Sequence, residues 1–241
     1  MSTIYFLIPI FNEEQNLNLL SENLRSILSD EQKYFIFADD GSSDGSVEKI
    51  HQLFKGLDYT VLGDGTNHGP GHAFNVGFEW ILNQSKTDSD IVVTIEADNT
   101  SDLNILYPMV CNNRMGFSMV LASVYSQGGG FDKTSFLRKF YSSIANLLLR
   151  FIFDIKVQTL SSFYRVYSIV LLKKIKVQHK VIIAETGFLC MIEILIKAIK
   201  SDATILEVPM MLNSAQRKGK SKMKVFKTML SYIRFVLFKS A

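Results

Sequence analysis

Three observations predict an α/β fold with a central, mostly parallel sheet flanked by helices. Short apolar strands alternate with segments of helical period through the first 120 residues. The run Asp90-Ile-Val-Val-Thr-Ile95 is apolar almost without a break, the pattern of a strand buried on both faces. Polar or glycine-rich loops follow the strands, and βαβ geometry gathers such loops at the carboxyl edge of one sheet, where open α/β sheets bind ligands. The last of these loops carries two carboxylates, Glu96 and Asp98. On an extended strand over 91–96 they would project to one side as a pair of hard oxygen ligands. Acidic residues in a solvated loop would look the same, so the meaning of the pair depends on the rest of the chain.

The elements follow in order. Ile4 to Pro9 is a short apolar strand stopped by proline. Leu17, Leu20, Leu24, Ile27 and Leu28 keep helical spacing after Asn12-Glu-Glu. Tyr34–Ala38 is the second strand, followed by the turn-rich Asp39-Asp-Gly-Ser-Ser-Asp-Gly45 and a helix over 46–55. Tyr59–Leu62 is the third strand; Asn67-His-Gly-Pro-Gly71 leads into a helix over 73–82. Beyond the 91–96 strand, Asp102 is placed to cap a helix over 103–111, and 118–122 is a further strand. Gly128–Gly130 is expected to be a mobile loop. Residues 136–152 form an amphipathic helix with Arg and Lys largely on one side. Residues 187–200 are expected to form a buried helix and Thr204–Pro209 a strand. The basic run Gln216–Lys224 precedes a last amphipathic helix over 223–238.

The 241 residues suffice for a sizeable core, and 47% hydrophobic content excludes a disordered chain. The net charge of +3 conceals an asymmetry. Residues 1–120 hold 6 Lys and Arg against 17 Asp and Glu, whereas residues 121–241 hold 20 against 6. Either the second half meets an anion, such as phosphate or an acidic membrane surface, or the two halves neutralise each other across a shared interface. Cys111 and Cys190 lack any pairing pattern and are expected to be free thiols of a reducing compartment. The N-terminus shows no leader pattern, and no apolar window reaches 18 residues, so a cytoplasmic protein is expected. Few aromatic residues interleave the 216–224 run, which argues against a nucleic-acid partner.

The ordered motifs carry more than any of them alone. They are Pro9-x-x-Asn12-Glu13-Glu14; Asp39-Asp40-Gly41-Ser42-Ser43-Asp44-Gly45; Asn67-x-Gly69-x-Gly71-x-Ala73-x-x-x-Gly77; and Glu96-Ala97-Asp98. Downstream come Arg138 with Asn146, Ser161 to Tyr167, Gly187-Phe188 through Glu193, Glu207-Val208-Pro209 and Arg217 to Lys222. Together this series resembles family 2 glycosyltransferases of the GT-A fold, and within them the dolichol-phosphate mannose synthase and polyprenyl-phosphate glycosyltransferase branch.

The resemblance implies one GT-A catalytic domain over 1–241, with a nucleotide-sugar half (1–122) and an acceptor half (123–241). The helices 136–152 and 223–238 would lie in a membrane interface, making the protein peripheral at the cytoplasmic face. It implies inverting transfer of a sugar from a GDP- or UDP-linked donor to a polyprenyl phosphate. Transfer to a hydroxyl of a surface glycan such as lipopolysaccharide or O-antigen is the alternative, and a nucleotide-binding protein without turnover a third. Pro9, Asn12, Glu13, Asp39, Asp40 and Gly69 are then nucleotide-sugar residues. Carboxylates accept from a base N–H or ribose hydroxyl, and glycines let backbone approach phosphate at a helix N-terminus. Glu96 and Asp98 stand where the family has D-x-D and would hold Mg2+ or Mn2+, Asp98 directly. Glu at the first position adds a methylene, so direct or water-mediated contact stays open there. Arg165 matches the arginine of the family's S-G-F-R motif, within one residue, and would grip phosphate. Arg217 and Lys222 belong to a basic loop that would close over the site. A phosphate acceptor needs no general base, and no carboxylate is a convincing one; Glu185 and Glu193 are the candidates, Glu193 equally a helix partner of a basic residue. Asp44 is assigned a structural role, and His68 and His72 are incidental.

Overall fold

A computed structural model describes residues 2–132, 146–147, 150–151 and 155–219. The strands are β1 (Thr3–Ile10), β2 (Gln32–Asp39), β3 (Tyr59–Leu62), β4 (Ile91–Thr94), β5 (Met119–Ser123), β6 (Gly130–Asp132), β7 (Arg165–Ser168), β8 (Ile205–Pro209) and β9 (Met211–Asn213). The helices are α1 (Leu17–Ser26), α2 (Ser46–Leu53), α3 (Pro70–Gln84), α4 (Leu106–Arg114), α5 (Ile169–His179) and α6 (Cys190–Lys200). A 3₁₀ turn, Leu103–Ile105, precedes α4, and Asp102 caps it by accepting from the Asn104 amide at 3.0 Å.

Seven strands form one sheet in the order β3-β2-β1-β4-β7-β5-β8, with β6 and β9 as a separate parallel pair. Only β7 runs antiparallel to its neighbours, β4 and β5. Strands β4 and β5 come from the first half of the chain and β7 and β8 from the second, so one sheet draws on both. The chain steps outward from β1 through β2 to β3, then returns to lay β4 on the other side of β1. The strand order therefore reverses between β1 and β4, and the crevice beyond their carboxyl ends is where such sheets take ligands. The segments Phe11–Asn16 and Ile95–Thr100 border it.

Strand alternation sorts the core into two layers. Ile4, Phe6 and Ile8 pack on one face with α1, α4 and Phe54 beyond α2. Tyr5 and Leu7 pack on the other with Phe74 and Phe78 of α3, Leu172 of α5 and Leu195 of α6. Every residue of β4 is buried, as a central strand covered on both faces requires.

Several expectations shift. β4 ends at Thr94; the Ile95 amide still reaches the Leu7 carbonyl at 3.3 Å, after which the chain turns. Glu96 and Asp98 thus stand on the turn after the strand rather than on the strand itself. β1 continues through Pro9 to Ile10, because β4 ends opposite Leu7 and Pro9 pairs only with β2. Its missing N–H breaks no ladder there. Gly130, expected in a mobile loop, instead opens β6, its amide bonded to the Met210 carbonyl at 3.0 Å. β7 falls on the end of the Ser161–Tyr167 motif, where no strand is expected, and α5 on a stretch with neither motif nor expected element. The interfacial helices expected at 136–152 and 223–238 lie outside the described residues, apart from 146–147 and 150–151. No helix among the described residues is long and apolar enough to cross a membrane. Both cysteines are free; Cys190 is buried, which pushes its thiol up to about 12.

At the opposite edge of the sheet, buried Asp90 ties three segments. It accepts from the Thr3 amide at 2.9 Å, from Ser85 Oγ at 2.8 Å, and from the Lys86 and Thr87 amides. Asp90→Ala leaves these donors unpaired and should lower stability by about 2–3 kcal/mol in urea unfolding. A loss below 1 kcal/mol, roughly that of an exposed bond, would show that Asp90 does not knit this edge.

Candidate functional site

The loops at the carboxyl edge are held by side chains reaching from one to the next. Asn12 has φ of 54°, a left-handed backbone that asparagine tolerates better than most residues. Its Oδ1 accepts from the Ser43 amide at 2.7 Å and the Asp44 amide at 3.2 Å, while its own amide donates to Ser42 Oγ at 2.9 Å. The Glu13 amide donates to Ser46 Oγ at 2.9 Å. Asp44 accepts from the amides of Glu14 and Ser46, a structural role as expected. Asn12 and Glu13 therefore join the loop after β1 to the loop after β2.

The adjacent aspartates part company. Asp39 is half-buried and accepts from the Ser42 amide; it lines a shallow, open recess with Leu62, Gly63, Asp64, Thr66 and His72. Asp40 is buried and spends its carboxylate inside the protein. It accepts from the His68 amide at 2.7 Å, the Gly69 amide at 2.8 Å and Asn67 Nδ2 at 3.0 Å. The expectation that Asp40 contacts the nucleotide is corrected on this point: its oxygens pin the glycine loop. His68 pairs with Asp64 at 2.9 Å at the rim.

The glycine loop is shaped by close backbone approach. Gly69 has φ of 98°, and a Cβ there would stand 2.5 Å from the Thr186 carbonyl oxygen. A Cβ on Gly71 would stand 1.8 Å from the Glu185 carbonyl oxygen, and the Gly71 amide donates to Thr186 O at 2.8 Å. Pro70 opens α3 at a position whose lost N–H a helix does not miss. The N-terminus of α3 thus faces the same edge as the other loops.

The acidic pair sits across the crevice from these loops. Asp98 is 8% exposed, and its Oδ1 accepts from the Thr100 amide at 3.1 Å and Thr100 Oγ1 at 2.7 Å. Its Oδ2 receives Arg217 Nε at 2.7 Å, with Nη2 of the same guanidinium also donating to it. Glu96 is half-buried, held by Ser101 Oγ at 2.7 Å. Burial, and then the Asp98 charge, push its carboxyl above the usual carboxylate range. Two hard carboxylates in one turn suit Mg2+ or Mn2+ of the kind that completes its shell with substrate phosphates. Among the described residues no group of three or more His, Cys, Asp or Glu side chains could hold a metal unaided.

Arg165 does not join the site. It is fully buried, and its guanidinium donates to three backbone carbonyls: Nε to Ser162 at 2.8 Å, Nη1 to Met191 at 2.8 Å and Nη2 to Leu160 at 2.6 Å. The expectation that it grips phosphate is corrected, because the fork is committed to the interior. Glu193 accepts from the Ala184 and Glu185 amides and pairs with Lys197 at 2.8 Å, the helix-partner role. Glu207 accepts from the Gln158 and Thr159 amides. Lys222 lies outside the described residues.

Sequence reasoning missed Asn16, Thr100 and Ser101. Asn16 stands just before α1, where asparagine ordinarily caps a helix, yet it makes no side-chain cap. Its side chain instead takes the Lys218 amide on Oδ1 at 2.9 Å and gives Nδ2 to Lys218 O at 3.1 Å and Glu13 Oε2 at 2.6 Å. No local pattern signals a partner 202 positions away.

Arg165→Ala separates the two roles. Loss of the buried guanidinium orphans three carbonyls and opens a cavity, so unfolding stability should fall by about 3–5 kcal/mol. A variant as stable as the parent but inactive would restore the phosphate-gripping role.

A family model described as glycosyl transferase family 2 matches residues 5–176. Polyprenol monophosphomannose synthase of Mycolicibacterium smegmatis is 26% identical over 237 residues, 98% of this chain and 84% of that protein. Dolichol-phosphate mannosyltransferase of Pyrococcus furiosus is 27% identical over 234 residues, 95% of this chain and 61% of that protein. A crystal structure of glucosyl-3-phosphoglycerate synthase from Mycobacterium tuberculosis, in complex with Mn2+ and UDP-glucose, is similar with a TM-score of 0.68 and 16% identity. The similarity covers 99% of this chain and 79% of that one, and it shows the GT-A architecture. The family model spans well over half of the sequence, and the chain belongs to glycosyl transferase family 2, as a glycosyltransferase.

Proposed function

We propose that this protein transfers a sugar, with inversion, from a GDP- or UDP-linked donor to a polyprenyl phosphate, and that residues 1–241 act as one catalytic domain. The observation that carries this reading is the crevice between β1 and β4: an acidic pair on one rim, a glycine loop at a helix N-terminus across from it, and Arg217 already inside. The names of the two curated relatives, both polyprenol-phosphate mannosyl enzymes, support the acceptor class.

Each residue then has a task. Asp39, at the open recess, accepts from a base N–H or a ribose hydroxyl. Pro9, Asn12 and Glu13 shape the adjoining rim. Asp40 holds the glycine loop, whose α3 N-terminus favours the negative diphosphate. Asp98 and Glu96 would hold Mg2+ or Mn2+, which when bound neutralises charge on the departing nucleoside diphosphate. Among the described residues Arg217, which lies on Asp98, is the cation proposed to meet that diphosphate, with Lys222 of the same basic run as a further candidate.

The acceptor choice follows from acid–base chemistry. A phosphate oxygen is anionic at neutral pH and attacks without a base, whereas a glycan hydroxyl must lose a proton. Glu193, one of the two candidate bases, is tied to two amides and Lys197. A lipid acceptor also fits the exposed Leu147 and Phe151, spaced one helical turn apart. With a peripheral protein expected at the cytoplasmic face and no nucleic-acid partner, these two residues are the described ones that would meet the membrane.

Asp98→Asn keeps the shape of the side chain and removes its charge. It should lower label transfer from an NDP-sugar to polyprenyl phosphate by at least about 100-fold with Mn2+ present. Transfer within a fewfold of the parent would remove Asp98 from the cation site. Label reaching a glycan acceptor but not the organic phase would replace the lipid reading.

A further inference from the structure

The segment Asn213–Gly219 lies across the crevice as a strap fastened at both ends. At one end the Asn213 amide donates to the Thr100 carbonyl at 2.9 Å. At the other the Lys218 peptide makes the two-way bond with the Asn16 side chain. Between them Arg217 lies on Asp98. Asn16 is 2% exposed and is braced in turn: its amide donates to Glu13 O at 2.8 Å, and its carbonyl accepts from Asn99 Nδ2 at 2.9 Å. One asparagine therefore joins the rim after β1, the rim after β4 and the strap.

We propose that Arg217 latches this strap shut on Asp98 in the cation-free protein, that Asn16 is the positioning residue that docks it, and that a divalent cation and Arg217 compete for the same carboxylate. The inference rests on the assignment of Asp98 to the cation made above. Asp98 has two oxygens, and Thr100 takes Oδ1 through two bonds. Oδ2, the oxygen turned away from Thr100, is where the guanidinium sits with two N–H groups. A cation approaching Oδ2 meets a positive charge already in place, so Arg217 must leave for the cation to bind. A nucleoside diphosphate arriving with the cation offers the displaced guanidinium a new anionic partner, for which its planar fork is suited. The strap is thus released when the cation takes Oδ2, and a diphosphate that arrives with the cation then holds the displaced guanidinium.

A closed latch lowers apparent cation affinity by the fraction of molecules that are open. Mn2+ binding is measured by titration calorimetry on the full chain without nucleotide. Arg217→Gln should bind Mn2+ roughly five- to tenfold more tightly than the parent, by that population argument. Asn16→Ala should shift affinity in the same direction, and because Asn16 makes no helix cap its loss leaves α1 without a missing cap. Limited trypsinolysis after Arg217 and Lys218 in the parent should accelerate as Mn2+ is added, a readout independent of catalysis. Equal Mn2+ affinity in parent and Arg217→Gln, or no binding by either without nucleotide, would overturn the latch. The cation assignment would survive that result if Mn2+ still bound in the presence of UDP or GDP. Absence of Mn2+ binding by every form, with either nucleotide, would overturn the assignment and the latch together.

Discussion

A guanidinium with no access to water holds the two halves of this molecule in register. Arg165 opens β7, the one antiparallel strand of the sheet, and lies opposite Thr94 of β4 on one side and Leu121 of β5 on the other. A buried charge is costly unless its donors are satisfied, and here each nitrogen finds a carbonyl. Those carbonyls belong to the approach to β7 and to α6, so strand, loop and helix are set by one side chain. Thr94 is also the last residue of β4, and its Oγ1 donates to the Phe163 carbonyl. The position from which Glu96 and Asp98 depart is therefore decided by an arginine that never meets the crevice.

That rigid floor contrasts with the crevice above it, where polar side chains join loops to one another. Asp40 fixes the glycine loop, Asn12 the loop after β2, and Asn16 the basic strap. The acidic first half and basic second half meet here as Asp98 and Arg217, an ion pair of the kind expected where the two halves neutralise each other across a shared interface.

The regular elements were legible wherever one period dominated. β1, β2, β4 and the helices beside them follow from apolar runs and helical spacing, since burial on one or both faces writes directly into the residue order. β7 was hidden because four residues opening with arginine do not resemble a central strand; only the tertiary bonds of Arg165 make its burial tolerable. The Gly128–Gly130 stretch misled because glycines signal a loop, while its pairing with β9 is made some 80 positions downstream. At the site, Asp39 and Asp40 are chemically identical in sequence. Alternation along the end of β2 turns them to opposite surroundings, and nothing local says which one meets solvent. The Arg165 motif carried the right residue type to the wrong task, because a fork that matches phosphate matches carbonyl oxygens equally well.

The glycine loop has a consequence for how the protein forms. Gly69 and Gly71 are moulded against Thr186 and Glu185, more than 100 positions away, and the Gly71 amide finds its acceptor only there. The first turn of α3 is incomplete until the segment before α6 arrives. Assembly of the crevice must therefore wait for long-range closure, which is slow because the entropy of a large loop is lost before any contact repays it. During synthesis the first 122 residues emerge with their glycine loop unsupported. This edge of the crevice is thus a late product of folding, completed by residues that the first half of the chain does not contain.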